Sequence, residues 1–371
     1  MSESYTPVFL GSGRCFHTMD WFRSCTELVA DPPIFITDNY GREGFTPLLK
    51  PTDKVKELVI IDALLPARSS ALGHVWRNLL KLLIIPVQVF RLRRVLSRID
   101  SPFVFAHSTY YAFLASFCST PYFAAPQGSE VLVRPHRSRF YRRFLIRSVK
   151  YARGIIVDSA AMAAGLKNIA NASASIIQNG INVLAIRECK TLAQRDLITS
   201  IRGFDRNYRI VEILAGRDQS APQQRLTFCC PFVEDTYNKE IEKHLHPDDV
   251  IRGRLPRAQM YELLKRSIAV VSIPQSDSSP RSVYEAIFCG AAVICTHSPY
   301  VDELPSCMRQ RVVLVDIADP DWFAKALGEA KEISSIPYSP SSEATDLYDQ
   351  VSSMNKVLVL AASSRPANST H

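Results

Sequence analysis

The run Ala269–Thr296, AVVSIPQSDSSPRSVYEAIFCGAAVICT, decides how the rest of the chain is read. It opens on apolar residues, passes through a polar loop, takes up helical spacing after Pro280, stops at Gly290 and returns as a second apolar run over Ala292–Cys295. Continuous rather than alternating apolar residues suit strands buried on both faces, and a helix joining two of them is the crossover of a parallel sheet. Ser279 or Ser282 is placed to cap the helix, Pro280 fits its first turn, and Ser282 with Glu285 has capping-box spacing. Asp277 then falls in the loop beyond the carboxyl end of a strand, where open α/β sheets take their ligands. The main-chain N–H groups of Arg281, Ser282 and Val283 would point into that crevice and offer a seat for a phosphate.

The same alternation extends in both directions. In the first half, strands are expected at Val8–Leu10, Ile34–Ile36, Leu58–Ile61, Phe103–Phe105, Tyr122–Ala124 and Ile155–Val157, with helical stretches at 17–29, 74–98, 109–117 and 137–152. In the second half they are expected at Leu197–Ile201, Leu226–Cys230, Val250–Ile251, Ala269–Ile273, Ala292–Cys295 and Val312–Leu314. A chain of 371 residues is too long for one comfortable core. The predicted fold class is α/β, with two doubly wound Rossmann-like domains: residues 1–184 and 185–340. Residues 341–371 would form a C-terminal helix, placed to return to the first domain, and a disordered tail rich in small polar residues.

Composition narrows the class. Hydrophobic residues are 47% and charged residues 22%, as in a globular protein rather than a disordered one. Nine cysteines are scattered with no Cys-x-x-Cys pair, the pattern of reduced thiols rather than a disulfide framework or zinc site. A cytoplasmic setting is expected from that, and the apolar stretch 79–90 is too short to cross a bilayer. The net charge of +8 is uneven: residues 1–190 carry 24 Lys and Arg against 13 Asp and Glu, and residues 191–371 carry 20 against 23. Any basic surface therefore belongs to the first half.

The acidic spacing in the opening run resembles the signature of retaining nucleotide-sugar glycosyltransferases of family 4, Glu-x(7)-Glu followed by Ala and a later Gly. Here Asp277 stands for the first acid, followed by Glu285-Ala286 and Gly290. Other stretches extend the resemblance over about residues 8–330. Gly11-Ser12-Gly13 follows the first strand, and Ala125–Glu130 matches the middle motif of the first domain with Gln127 in place of its usual His. Ser200-Ile201-Arg202-Gly203 matches the first strand of the nucleotide domain, and Arg252-Gly253 the loop that receives the base. The resemblance implies a GT-B architecture, two domains facing across a cleft. It implies metal-independent, cofactor-free transfer with retention, from a nucleotide-sugar donor to a glycan or lipid-linked acceptor in surface polysaccharide or glycolipid synthesis. Glu285 would bind the donor ribose and Asp277 would lie near the transferred sugar. Arg202 would meet the diphosphate, with Gln127 at the sugar. The donor contacts would further include Arg281, Ser282, Val283, Arg252, Gly253, Gly11, Ser12 and Gly13. Tyr208 occupies the place of an expected Lys, so a second positive charge would come from Arg206 or Arg209. A nucleotide-sugar epimerase and a non-catalytic scaffold on the same fold are the competing readings.

Between Arg134 and Arg153 there are eight Lys and Arg residues and no acid, interleaved with Phe140, Phe144, Leu145 and Val149. One reading is a solvated helix packed on its domain; the other is docking of Arg139, Arg142, Arg143 and Arg147 on an anionic membrane or a lipid-linked acceptor. Nucleic acid is disfavoured because no stacking platform accompanies the charge. No metal site is expected: Asp319-Pro320-Asp321 reads as a helix start, and His244 and His246 lack a third ligand.

Overall fold

Val8 and Leu10 face one core of the first sheet and Phe9 faces another, so this strand, β1 (Thr6–Leu10), is covered on both sides. The computed structural model describes residues 5–38, 49–60, 73–190, 194–231 and 233–364. Six more parallel strands complete the sheet: β2 (Ile34–Thr37), β3 (Lys54–Glu57), β4 (Pro102–His107), β5 (Tyr122–Ala125), β6 (Gly154–Val157) and β7 (Ser175–Ile176), in the order β3-β2-β1-β4-β5-β6-β7. Val8 sits beside Val104 and Phe9 beside Phe105, a register that stacks Phe9, Phe35, Phe103, Phe105 and Phe123 into an aromatic layer on one face.

The second sheet is built from β8 (Leu197–Ser200), β9 (Thr227–Cys229), β10 (Val250–Arg252), β11 (Ser267–Val271), β12 (Ala292–Cys295) and β13 (Val312–Leu314). All are parallel, in the order β10-β9-β8-β11-β12-β13. This is the doubly wound order in which the winding reverses beside the first strand. The helix between β11 and β12 ends at Gly290, whose φ of +82° is the left-handed turn that only glycine enters without strain.

The described residues up to Asn179, together with those from Gln350 onward, form one compact unit, and Gly180–Asp349 form the other. The chain passes between them at Gly180, with φ +77°. The expected division at 184/185 falls inside helix Val183–Glu188, which packs with the second unit's core through Val183 and Ile186. At the other end, helix Ser342–Tyr348 belongs to the second unit and helix Gln350–Ser363 to the first. Met354, Val357 and Ala361 share a core with Met19, Trp21, Phe22 and Cys25. Most of the expected tail lies outside the described residues.

Two local expectations are corrected and one strand is added. The strand placed at Leu58–Ile61 lies instead at β3, the charged and exposed edge of the sheet. Leu58 follows it as a buried residue and Ile61 is outside the described residues. The two-residue strand β7 has no apolar run to announce it. The helical stretch 137–152 is broken at Ser138 (φ −144°, ψ 116°), whose Oγ accepts the Tyr141 N–H and starts helix Arg139–Lys150.

Candidate functional site

The predicted residues fall into two groups, one in each unit. In the second unit β8 and β11 are neighbours while β9 lies on the other side of β8, so the carboxyl ends of β8 and β11 open the crevice where the winding reverses. Arg202 follows β8 and Asp277 lies in the loop after β11. They meet as an ion pair, Arg202 Nη2 to Asp277 Oδ2, 3.0 Å apart, with the arginine side chain 9% exposed. Arg202 Nε donates to Ser272 Oγ at 2.9 Å, and the guanidinium lies over the Tyr208 ring at 5.2 Å. Thus Tyr208, which replaces the expected lysine, supports the arginine instead of adding a charge.

Asn207 ties the two loops together. Its carbonyl accepts the Gln275 N–H at 2.7 Å, its Oδ1 accepts the Ser276 N–H at 3.2 Å and its Nδ2 donates to the Ser276 carbonyl at 3.1 Å. Asp205 Oδ1 holds the Asn207 N–H at 2.8 Å. The loop carrying Asp277 is therefore fixed by a side chain that no motif points to. Arg206 is bound to Glu240 at 2.8 Å, and Arg209 takes a left-handed φ of 51° at the start of helix Ile210–Ser220.

Helix Arg281–Phe288 begins differently from the capping expected. Pro280 is its N-cap rather than a first-turn residue, with no side-chain cap. Ser279 shares a hydrogen bond with the Tyr284 hydroxyl at 3.2 Å, and Ser282 Oγ is buried without a hydrogen-bond partner among the described residues, so the Ser282–Glu285 capping box is not formed. The Val283 N–H donates to the Pro280 carbonyl at 2.9 Å, which removes it from the expected phosphate seat; the first two amides of the helix, Arg281 and Ser282, remain at its positive end. Glu285, freed of a capping role, is buried and accepts from the Tyr261 hydroxyl at 3.4 Å. Burial, then the Glu285 charge, pushes the Tyr261 hydroxyl well up. Arg252 ends β10, and a side chain added at Gly253 would meet no neighbour within 4 Å.

In the first unit Gly11, Ser12 and Gly13 follow β1. A Cβ at Gly11 would stand 2.5 Å from Thr18 Cγ2, so the close approach of loop and helix requires glycine. The Gly13 N–H donates to Thr37 Oγ1 at 3.2 Å. Ser12 and Gln127 line a cavity of about 690 Å³ together with Tyr110, Tyr141, Arg134 and Lys81. Glu130 closes the loop beneath it, accepting the Thr109 N–H and hydroxyl at 2.8 and 2.9 Å and the Gln127 N–H at 3.0 Å.

On helix Arg139–Lys150, Arg139, Arg142 and Arg143 are exposed, and Leu145 and Val149 are buried. Arg147 is instead packed over the Phe117 ring at 4.0 Å, and Phe144 stacks on Phe113 at 4.0 Å. Phe140 is 62% exposed, and on helix Gly73–Leu96 Leu83 and Phe90 are 68% and 66% exposed. Leu82 and Phe140 both line the cavity, so apolar and cationic groups meet at its rim.

Among the described residues no three His, Cys, Asp or Glu side chains are grouped to hold a metal. His246 pairs with Asp218 at 3.0 Å, and Asp319 holds the Asp321 N–H at 3.0 Å ahead of helix Trp322–Ser335. No helix among the described residues is long and apolar enough to cross a membrane. Sequence reasoning passed over Asn207, Ser272, Cys15 and His107. The only signal for the last was its place directly after a strand-like run.

Scans against family models and curated proteins return no match. Solved structures do match. Anabaena HepE in complex with UDP and glucose superposes with a TM-score of 0.72 at 14% identity, covering 97% of this chain and 100% of that one. Sucrose-phosphate synthase from Thermosynechococcus elongatus gives 0.69 at 12% identity over 97% and 99%. A UDP-forming α,α-trehalose-phosphate synthase from Burkholderia vietnamiensis gives 0.66 at 12% over 98% of each. The chain thus has the α/β fold of two doubly wound, Rossmann-like units that these proteins share along nearly their whole length.

Proposed function

We propose that this protein transfers a sugar from a nucleotide-sugar donor to a glycan or lipid-linked acceptor, with retention and without a metal, in surface polysaccharide or glycolipid assembly. The observation that carries the reading is the pairing of buried Arg202 with half-buried Asp277 at the point of reversed winding, in the unit whose helix Arg281–Phe288 begins just beyond Asp277. Departure of a nucleoside diphosphate places negative charge on the phosphates. Arg202 and the first amides of that helix stabilise it as it develops. Asp277 aims the guanidinium and faces the cationic sugar. Glu285 holds the ribose, and Arg252-Gly253 receives the base. The complexes of HepE with UDP and UDP-glucose support uracil as that base. Acceptor attack on the face the diphosphate leaves would retain configuration.

A thermal-shift series with UDP, ADP, GDP and inorganic phosphate tests the donor assignment. At a hundredfold excess over its Kd, UDP should add about 2.7 kcal/mol, a rise of roughly 5–10 °C. A shift no larger than that from phosphate alone would sink it.

The exposed Phe140 beside Arg139, Arg142 and Arg143, with Leu82 lining the same cavity, supports docking of the first unit on an anionic membrane. Each surface arginine contributes about 1 kcal/mol near such a surface. The protein should float with vesicles containing phosphatidylglycerol, and an Arg142→Glu/Arg143→Glu variant should remain in the soluble fraction. Equal flotation with neutral vesicles would rule the docking out.

A further inference from the structure

Cys15 ends the loop after β1 and is the N-cap of helix Phe16–Leu28, at the positive end of 13 aligned residues. His107, the last residue of β4, brings Nδ1 to 4.0 Å from its sulfur and 2.6 Å from Thr18 Oγ1. Gln127, just beyond β5, donates its Nε2–H to the same sulfur at 3.6 Å. The strand order β1-β4-β5 delivers these residues to one end of the sheet, and all three line the 690 Å³ cavity. Tyr110 also lines that cavity.

Burial pushes the Cys15 thiol up, but the hydrogen bond and charge of His107 and hydrogen bonds from Thr18 outweigh it and bring it to about 7 from 9.0. Burial draws His107 down, but the Cys15 thiolate, Glu130 and Asp158 raise it overall. The His17 and Trp21 rings also face His107, at 6.3 and 6.2 Å. Tyr111 stays protonated, pushed up first by burial and then by Asp38. Other cysteines differ: burial pushes Cys25 up to about 12 and Cys118 and Cys295 to about 11. Cys307 is lowered, against burial, by hydrogen bonds with Ser341, Tyr338 and the Met308 main chain.

We propose that Cys15 is a nucleophilic site, a thiolate paired with the His107 imidazolium, that captures small electrophiles of the peroxide class at the cavity wall. In that step the sulfur attacks one peroxide oxygen, an S–O bond forms and the O–O bond breaks. Two electrons pass from sulfur to peroxide, and the departing hydroxide takes the His107 proton and leaves as water. The product is a sulfenic acid, returned to thiol by a reducing dithiol. The assignment is independent of the transfer reading.

Iodoacetamide labelling of the intact chain between pH 5 and 9, mapped by peptide mass spectrometry, tests it. The Cys15 rate should be half-maximal near pH 7, following the lowered thiol. At pH 7 it should exceed that of an ordinary thiol about fivefold, since a fiftyfold gain in thiolate is offset by weaker intrinsic nucleophilicity. His107→Gln should move the midpoint up toward 9. Should that variant misfold, the wild-type profile decides alone. Hydrogen peroxide followed by dimedone should give an adduct at Cys15 that pre-reduction abolishes. A wild-type midpoint near 9, or dimedone on other cysteines and none on Cys15, would overturn the proposal.

Discussion

Arg202→Ala should cut the rate of sugar transfer by about 10²–10³-fold while the protein stays folded. The arginine is preorganised: Ser272 holds Nε, Asp277 pairs with Nη2 and Tyr208 lies under the guanidinium. A donor fixed in advance at the leaving group costs no reorganisation when charge develops there, so its loss appears in kcat more than in nucleotide affinity. Arg202→Lys keeps the charge but loses the planar fork that serves both Ser272 and Asp277, and should fall between wild type and Ala. Glu285→Ala should act differently, weakening UDP binding by about 10–100-fold, because a charged hydrogen bond contributes roughly 1.5–3 kcal/mol. Initial rates at saturating donor, with calorimetric titration of UDP, separate the two effects. Full turnover in Arg202→Ala would remove the arginine from the site.

Arg217→Ala should destabilise the second unit by about 3–5 kcal/mol, the cost of leaving a buried charge without its partner. Arg217 is fully buried in helix Ile210–Ser220. Its Nη1 donates to both oxygens of Asp249 at 3.1 Å, Nε to Asp218 at 2.5 Å and Nη2 to the His244 carbonyl at 3.0 Å. Asp249 is itself 1% exposed and accepts the Leu226 and His246 N–H groups at 2.8 and 2.9 Å. One arginine therefore fastens helix Ile210–Ser220 to the connection entering β10. Urea unfolding should show an earlier midpoint for the transition of this unit. An unchanged midpoint would mean that water replaces the guanidinium at no cost.

Much of the second sheet was legible because its strands are buried on both faces. Ala269–Val271 and Ala292–Cys295 are uninterrupted apolar runs, and a parallel sheet flanked by helices requires that. The opposite case is β3: Lys54–Glu57 is an exposed edge with Lys54, Lys56 and Glu57 charged, so nothing distinguishes it from a loop, while buried Leu58 beside it imitates a strand. The unit boundary expected at 184/185 lies a few residues earlier, at Asn179 and Gly180. The second crossing lies between two helices, at Asp349 and Gln350, where composition does not change.

Residue type and local order alone determined the two α/β units, the glycine stops and the polar loop with a helix after it. These depend on periodicity and backbone freedom within a few neighbouring residues. Tertiary structure alone decided the pairings: Arg202 with Asp277, Asn207 with Ser276, and Cys15 with His107 and Gln127. It also decided that Arg206 is bound to Glu240. In each pairing the partners are far apart in the chain, and strand order brings their loops to the same end of a sheet. Chain pattern carries the period of each element, but the neighbour of a strand is chosen by how all of them pack.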